Sequence, residues 1–271
     1  MDKGILFTKE VVDGFYKDLF NKYGRDDFKE LFSNFADKRE RLRIMTKREI
    51  EKYPAYKRQF VQRRGSVCEE YLEPYMQNTL SDKNLVIDYA LIIEDNTRGR
   101  LYAILIAQKG ECTGKPDIWN VRLVCNRSGE RAVGYGGNAS KLLGLFVYAL
   151  NHGDHAYGML EVADGYNNVG AYCAYSRYGF RETPLAECDG FTDRNIAMFI
   201  EMNFIDPSKD ERTNKILAAV IDRNVNVKDG TDEIKYCKTL RQPGAIVPEV
   251  VPEVVPEIQP EINNPEGCSI Q

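Results

Sequence analysis

The chain has 271 residues, with 43% hydrophobic, 29% charged and 11% aromatic residues, a balance that supports a sizeable core in one large domain with extensions. Its 37 basic and 41 acidic residues give a net charge of −4, which excludes a globally basic nucleic-acid binder. No apolar run approaches the roughly 18 residues of a membrane span, and the N-terminus lacks a long apolar signal region, so neither a nucleic-acid partner nor a membrane span is expected.

Residues 1–84 read as a mainly helical first part of the domain. Phe15, Leu19 and Phe20, then Phe28, Leu31, Phe32 and Phe35, fall at helical spacing. Lys38–Arg64 carries eleven basic residues against Glu40, Glu49 and Glu51, a pattern that reads as a solvated helix face before it reads as a wall for an anionic partner. Residues 85–205 form the strand-rich core. Segments ending at Asp95 and beginning at Arg100 are β-rich and separated by a turn signal, so they predict a hairpin. Ile118–Cys125 predicts a third strand, a glycine-rich loop follows, and an amphipathic helix opens near Asn138 with Ala139, Leu142, Leu143, Phe146, Val147 and Leu150 on one side. Residues 157–163 predict a strand, 168–178 a short helix stopped by Gly179, and 196–204 a further strand. Residues 206–242 are a helical extension, with Ile216, Leu217, Val220 and Ile221 as the apolar side of its helix.

The last segment, 243–271, repeats Pro-Glu at 248, 252, 256 and 260 and holds five Glu with no Lys or Arg. Proline at this density removes backbone donors and fixes φ, so a disordered, polyproline-like tail is expected. The order of elements predicts an α/β (α+β) architecture, helices layered on a mixed sheet.

The seven cysteines, at 68, 112, 125, 173, 188, 237 and 268, are odd in number and form no CxxC pair. Free thiols and a reducing compartment, cytoplasmic or otherwise intracellular, are therefore expected. The two histidines, His152 and His155, stand at a helix exit, where a cation suits the dipole better than two imidazoles suit a metal. No metal site is expected. Cys268-Ser-Ile-Gln271 has the outline of a prenylation box, but the acidic flank argues against lipidation.

Two stretches carry chemistry. Arg131-Ala132-Val133-Gly134-Tyr135-Gly136-Gly137 opens the helix at Asn138. Glycines before a helix start expose unpaired N–H groups at the positive end of the dipole, a setting for phosphate. A dinucleotide fingerprint in a βαβ array and a GxxxxGK[ST] loop are both absent. Further on, Ala171 and Tyr175 share a helix face ending at Gly179, which holds a phenol at fixed depth.

In these stretches the sequence resembles the GNAT (Gcn5-related N-acetyltransferase) superfamily. Arg131-x-x-Gly134-x-Gly136 matches the family's coenzyme loop, and Asn168-x-x-Ala171-x-x-x-Tyr175-x-x-x-Gly179-Phe180 matches its later strand–helix motif. The resemblance spans about residues 85–205 and implies a mixed, mostly antiparallel sheet flanked by helices. It implies an N-acetyltransferase that moves an acetyl group from acetyl-CoA to an amine by direct attack. Residues 131–137 would hold the diphosphate, and Val124, Cys125, Asn168 and Ala171 would line the pantetheine arm between two splayed strands. Tyr175 would protonate the leaving thiolate. The segment departs from the family by two extra residues before Asn168 and by the lack of an acidic or histidine base on strand 118–125. Glu161, on the strand face opposite Leu160 and Val162, and Asp164 are then the nearest carboxylates for the base, with a water chain as the alternative. The alternatives are a non-catalytic acyl-CoA-binding module and an interaction protein using the tail and the basic stretch.

Overall fold

A computed structural model describes residues 6–31, 40–45, 89–95, 100–110, 112, 114–115, 117–126, 138–163, 165–183 and 195–240. The glycine-rich loop 131–137, most of the basic stretch 38–64, the tail 243–271 and Cys268 lie outside the described residues.

The elements run α1 (Lys9–Leu31), β1 (Glu40–Met45), β2 (Tyr89–Asp95), β3 (Arg100–Lys109), β4 (Trp119–Asn126), α2 (Asn138–His152), β5 (Tyr157–Val162), a 3₁₀ turn (Gly165–Asn167), α3 (Val169–Arg177), β6 (Arg181–Glu182), β7 (Ile196–Glu201), α4 (Met202–Ile205), α5 (Lys209–Ile221) and α6 (Asp232–Leu240). The strands form one seven-stranded sheet in the order β1-β2-β3-β4-β5-β7-β6. Every pairing is antiparallel except β4 with β5. The expected mixed, mostly antiparallel sheet with helices against it is the observed fold.

The α2 helix organises the core. Ser140 and every residue from Leu142 to Asn151 are buried, so this helix has no solvent stripe of the kind its amphipathic reading predicted. It lies between the sheet, which contributes Leu105, Val121, Leu160 and Met198, and helices α1 and α5, which contribute Phe15, Leu19, Ile216 and Leu217. Gly144 permits the closest of these approaches. A Cβ there would stand 2.4 Å from Val220 Cγ2 and 3.0 Å from the Tyr178 hydroxyl.

Several expectations are corrected. Glu40–Met45 is a strand paired with β2 rather than part of a helix face; alternating Leu42 and Ile44 suit a sheet edge. Phe20 projects outward, 45% exposed, while Phe15 and Leu19, four apart, face the core. The last predicted strand ends at Glu201, and Met202–Ile205 turns into a helical segment. His155 is not a surface cation: it is buried edge-on against Trp119 at 5.9 Å, whereas His152 stacks on Tyr148.

The largest correction concerns the cysteines. Cys173 on α3 and Cys237 on α6 form a disulfide across 64 residues of sequence, and Cys112 and Cys125 are disulfide-bonded as well. The premise of the reducing-compartment expectation, unpaired thiols, does not hold. Among the described residues no helix is long and apolar enough to cross a membrane, and no cluster of three metal-ligating side chains exists.

Candidate functional site

The site is built where the one parallel strand pair among the described residues opens. β4 and β5 pair through Trp119–Gly158, Asn120–Met159 and Val121–Leu160, and the ladder stops there. A bulge marks the same point on the other edge of β4. Ile106 pairs with Leu123 but Ala107 pairs with Val121, leaving Arg122 as the extra residue. A bulge bends a strand and increases its twist. Here it also lets Val121 and Val124, three apart, both turn toward the large core. Beyond it, the C-terminal halves of β4 and β5 are not paired with each other.

From β5 the chain enters the 3₁₀ turn, where Gly165 takes φ +55°, a left-handed value that glycine adopts without strain. This turn accommodates the two extra residues noted before Asn168. The Asn168 side chain then caps α3, its Oδ1 accepting from Ala171 N at 3.3 Å. The helix ends as the sequence predicts, with Gly179 at φ +94°.

Tyr175 lies on the inner side of α3, 9% exposed. Burial pushes its phenol well above the ordinary range, so it is a neutral proton holder. Tyr148, Tyr166, Tyr172 and Tyr178 donate to Asp18, Glu182, Glu182 and the Ser140 carbonyl respectively. The Tyr175 hydroxyl makes no such bond among the described residues. Glu161 occupies the face of β5 opposite Leu160 and Val162, as alternation predicts. That second face holds Ile118, Met159, Ala197 and Phe199. One Glu161 oxygen accepts from Asn195 Nδ2 at 3.0 Å, which fixes its orientation.

Of the remaining predicted residues, Val124 and Ala171 are half-buried and pack against the large core, and Cys125 is buried and disulfide-bonded. Residues 131–137 are outside the described chain; Val124, Ala171 and Tyr175 share the large core, whereas Glu161 lies on the opposite face of β5.

A group that sequence reading passed over lies at the start of α2. Arg177, 2% exposed, donates from Nη2 to Ser140 Oγ at 2.5 Å and from Nη1 to Ala219 O at 2.7 Å. Its guanidinium lies 4.7 Å from the Tyr178 ring, and Tyr178 donates to Ser140 O at 2.8 Å. Nothing in the spacing of α3 separates a buried arginine from a solvated one; only the fold of α5 over it does.

No family model and no curated protein matches the chain. Solved structures similar to it include acetyltransferases. The structure of the NatC complex bound to Gag peptide and CoA aligns at 16% identity over 60% of this chain and 98% of that one, with a TM-score of 0.41. A GNAT-family acetyltransferase from Listeria monocytogenes aligns at 11% identity over 60% and 94%, TM-score 0.42. Tetrahymena GCN5 aligns at 14% over 59% and 95%, TM-score 0.42.

Proposed function

We propose that this chain is an N-acetyltransferase that moves an acetyl group from acetyl-CoA to an amine acceptor in a ternary complex. The observation that carries this reading is the parallel β4–β5 ladder that stops after three residue pairs beside a bulge. Diverging strand edges offer main-chain groups to an amide-bearing chain such as pantetheine, at a depth set by the closed end of the ladder. The α2 N-terminus and residues 131–137 hold the diphosphate.

The coenzyme supplies a thioester activated toward amines. The chain supplies the proton positions. The acceptor nitrogen forms a bond to the acetyl carbon, the carbon–sulfur bond breaks, and the departing sulfur takes a proton from Tyr175. The proton lost by the attacking nitrogen passes to Glu161, directly or through water, and the phenol is recharged from solvent. A phenol fits the acid role because it carries its proton at neutral pH and because its hydroxyl makes no bond to a described residue. Asn168 and Ala171 at the start of α3, with Val124 and Cys125 on β4, are the lining for the arm. The paired cysteines favour an oxidising compartment over the cytoplasm.

The test is release of free thiol from acetyl-CoA with a panel of amines: peptide α-amines, peptide lysines, polyamines and arylamines. The expected result is thiol release matched mole for mole by acetylated acceptor for at least one class. Binding of acetyl-CoA without turnover on any amine favours the non-catalytic acyl-CoA module. Absence of binding, read as no shift in melting temperature, contradicts the proposal.

A further inference from the structure

We infer that Asn120 holds the acceptor: its buried amide oxygen accepts the N–H that the attacking nitrogen keeps, on the sheet face opposite the one that carries Tyr175. This rests on the acetyltransferase reading above and assigns a specificity residue on its acceptor side.

The face follows from register. Leu160 and Val162 belong to the large core, and Met159 and Glu161 alternate with them onto the other side of β5. Asn120 has Met159 as its partner on β5 and Gln108 as its partner on β3, so Gln108, Asn120, Met159 and Glu161 share that second face. The β4–β5 ladder ends one residue past Asn120, at Val121–Leu160. Asn120 is therefore the last β4 residue on this face before the opening, and Glu161 is the first β5 residue beyond it. Strand spacing and rise put the two roughly 8 Å apart.

Asn120 is 3% exposed. Its Oδ1 and the Oε1 of Gln108 are both buried, and neither meets a hydrogen-bond donor among the described residues. Buried acceptors are nearly always paired, and leaving one unpaired is costly. Two amides directly across a strand pair have an obvious remedy in bonding each other, yet these two do not. The Asn120 amide lies against Gly110 instead, where a Cβ would crowd its Nδ2 and stand 2.9 Å from its Oδ1. The missing donor is thus at the mouth of the opening in which the thioester is proposed to lie.

A neutral primary amine brings two N–H groups. As its nitrogen bonds to the acetyl carbon and the carbon–sulfur bond breaks, sulfur takes the Tyr175 proton and one N–H proton passes to Glu161, directly or through water. The other N–H survives in the product amide, and Asn120 Oδ1 accepts from it throughout. An N-methylated amine has one N–H, which must leave. A methyl group then faces the buried oxygen, which stays unpaired. A site built to receive an N–H rejects the analogue that lacks it.

The test uses the full chain, acetyl-CoA, and each amine of the panel that gives thiol release, paired with its own N-methyl analogue. Asn120→Leu removes the acceptor at similar volume and leaves no unpaired oxygen, so it is expected to melt no lower than the parent. The parent is expected to show a kcat/KM for the primary amine roughly tenfold or more above that for the N-methyl analogue, the scale of one unpaired buried acceptor. In Asn120→Leu the primary amine is expected to fall by roughly that factor while the N-methyl analogue stays within about twofold, so that the preference collapses. The melting shift produced by acetyl-CoA is expected to be unchanged. A parent that acetylates both amines equally overturns the inference. So does a preference that survives in Asn120→Leu, or an equal loss on both amines, which marks a structural role. If Asn120→Leu does not fold, the smaller Asn120→Ala decides by the same ratio. Each of these results leaves the acetyltransferase reading standing; failure of every panel amine to be acetylated defeats both.

Discussion

Asn168 shows how a residue's motif and its physical job can differ. The sequence placed it by its spacing to Ala171, Tyr175 and Gly179 and gave it a coenzyme contact. The fold gives its oxygen to the backbone of Ala171 as the cap of α3. Spacing alone cannot separate the two, because an asparagine before a helix satisfies either. Replacing Asn168 with Ala is expected to lower stability by about 1 kcal/mol, read as a lower urea midpoint, with Asn168→Ser retaining most of it. Equal midpoints for Ala and parent contradict the cap. Tyr175 was legible as an inward phenol from its four-residue step, whereas its lack of a hydrogen-bond partner among the described residues was not. That property depends on what the other tyrosines found: Asp18 and Ser140 come from distant parts of the chain, and Glu182 from the strand after α3. Arg177 was illegible for the same reason, since burial by α5 is a tertiary fact.

At the scale of elements, local pattern served well where one period dominated. The facing ends of the hairpin β2–β3, strands β4 and β5, helix α3 and its glycine stop all stand within a residue or two of their expected bounds. It failed where context overrides pattern. The α2 helix is buried all round because it is covered by three neighbours, and β1 forms because β2 presents an edge to it. Cysteine pairing was beyond reach, since Cys173 and Cys237 are 64 residues apart and only the docking of α6 onto α3 joins them. That link ties the helix bearing Tyr175 to the C-terminal extension. Closing a loop of this length stabilises the folded chain by about 4 kcal/mol in the loop-entropy account. Melting with a dithiol reductant is therefore expected at a distinctly lower temperature than without, and Cys237→Ala is expected to melt low in both conditions. A melting temperature indifferent to reductant and to this substitution contradicts the staple.

For the molecule as a whole, the buried phenols set a limit on the alkaline side. Burial raises the ionisation of Tyr148, Tyr166, Tyr172, Tyr175 and Tyr178 above the ordinary phenol value. Below about pH 10 the folded and unfolded chains both keep these protons and stability is undiminished. Above it the unfolded chain releases protons that the folded chain retains, so stability falls with rising pH. The urea midpoint is expected to hold level to about pH 9.5 and to drop steeply beyond pH 10; a level midpoint to about pH 11.5 contradicts the burial of these rings. The sheet order was legible only in part. The strands could be read one by one, but the parallel β4–β5 neighbours and their early separation follow from the α2 crossover and the Arg122 bulge, neither of which leaves a periodic trace.

The claim on which the account turns is that Tyr175 delivers the proton that lets sulfur leave. Tyr175→Phe, assayed for thiol release at saturating acetyl-CoA beside calorimetric titration of the same coenzyme, tests it directly. The account predicts a fall in turnover of roughly a hundredfold or more, the range of a lost general acid, with coenzyme affinity within about twofold of the parent. Turnover equal to the parent's would contradict it.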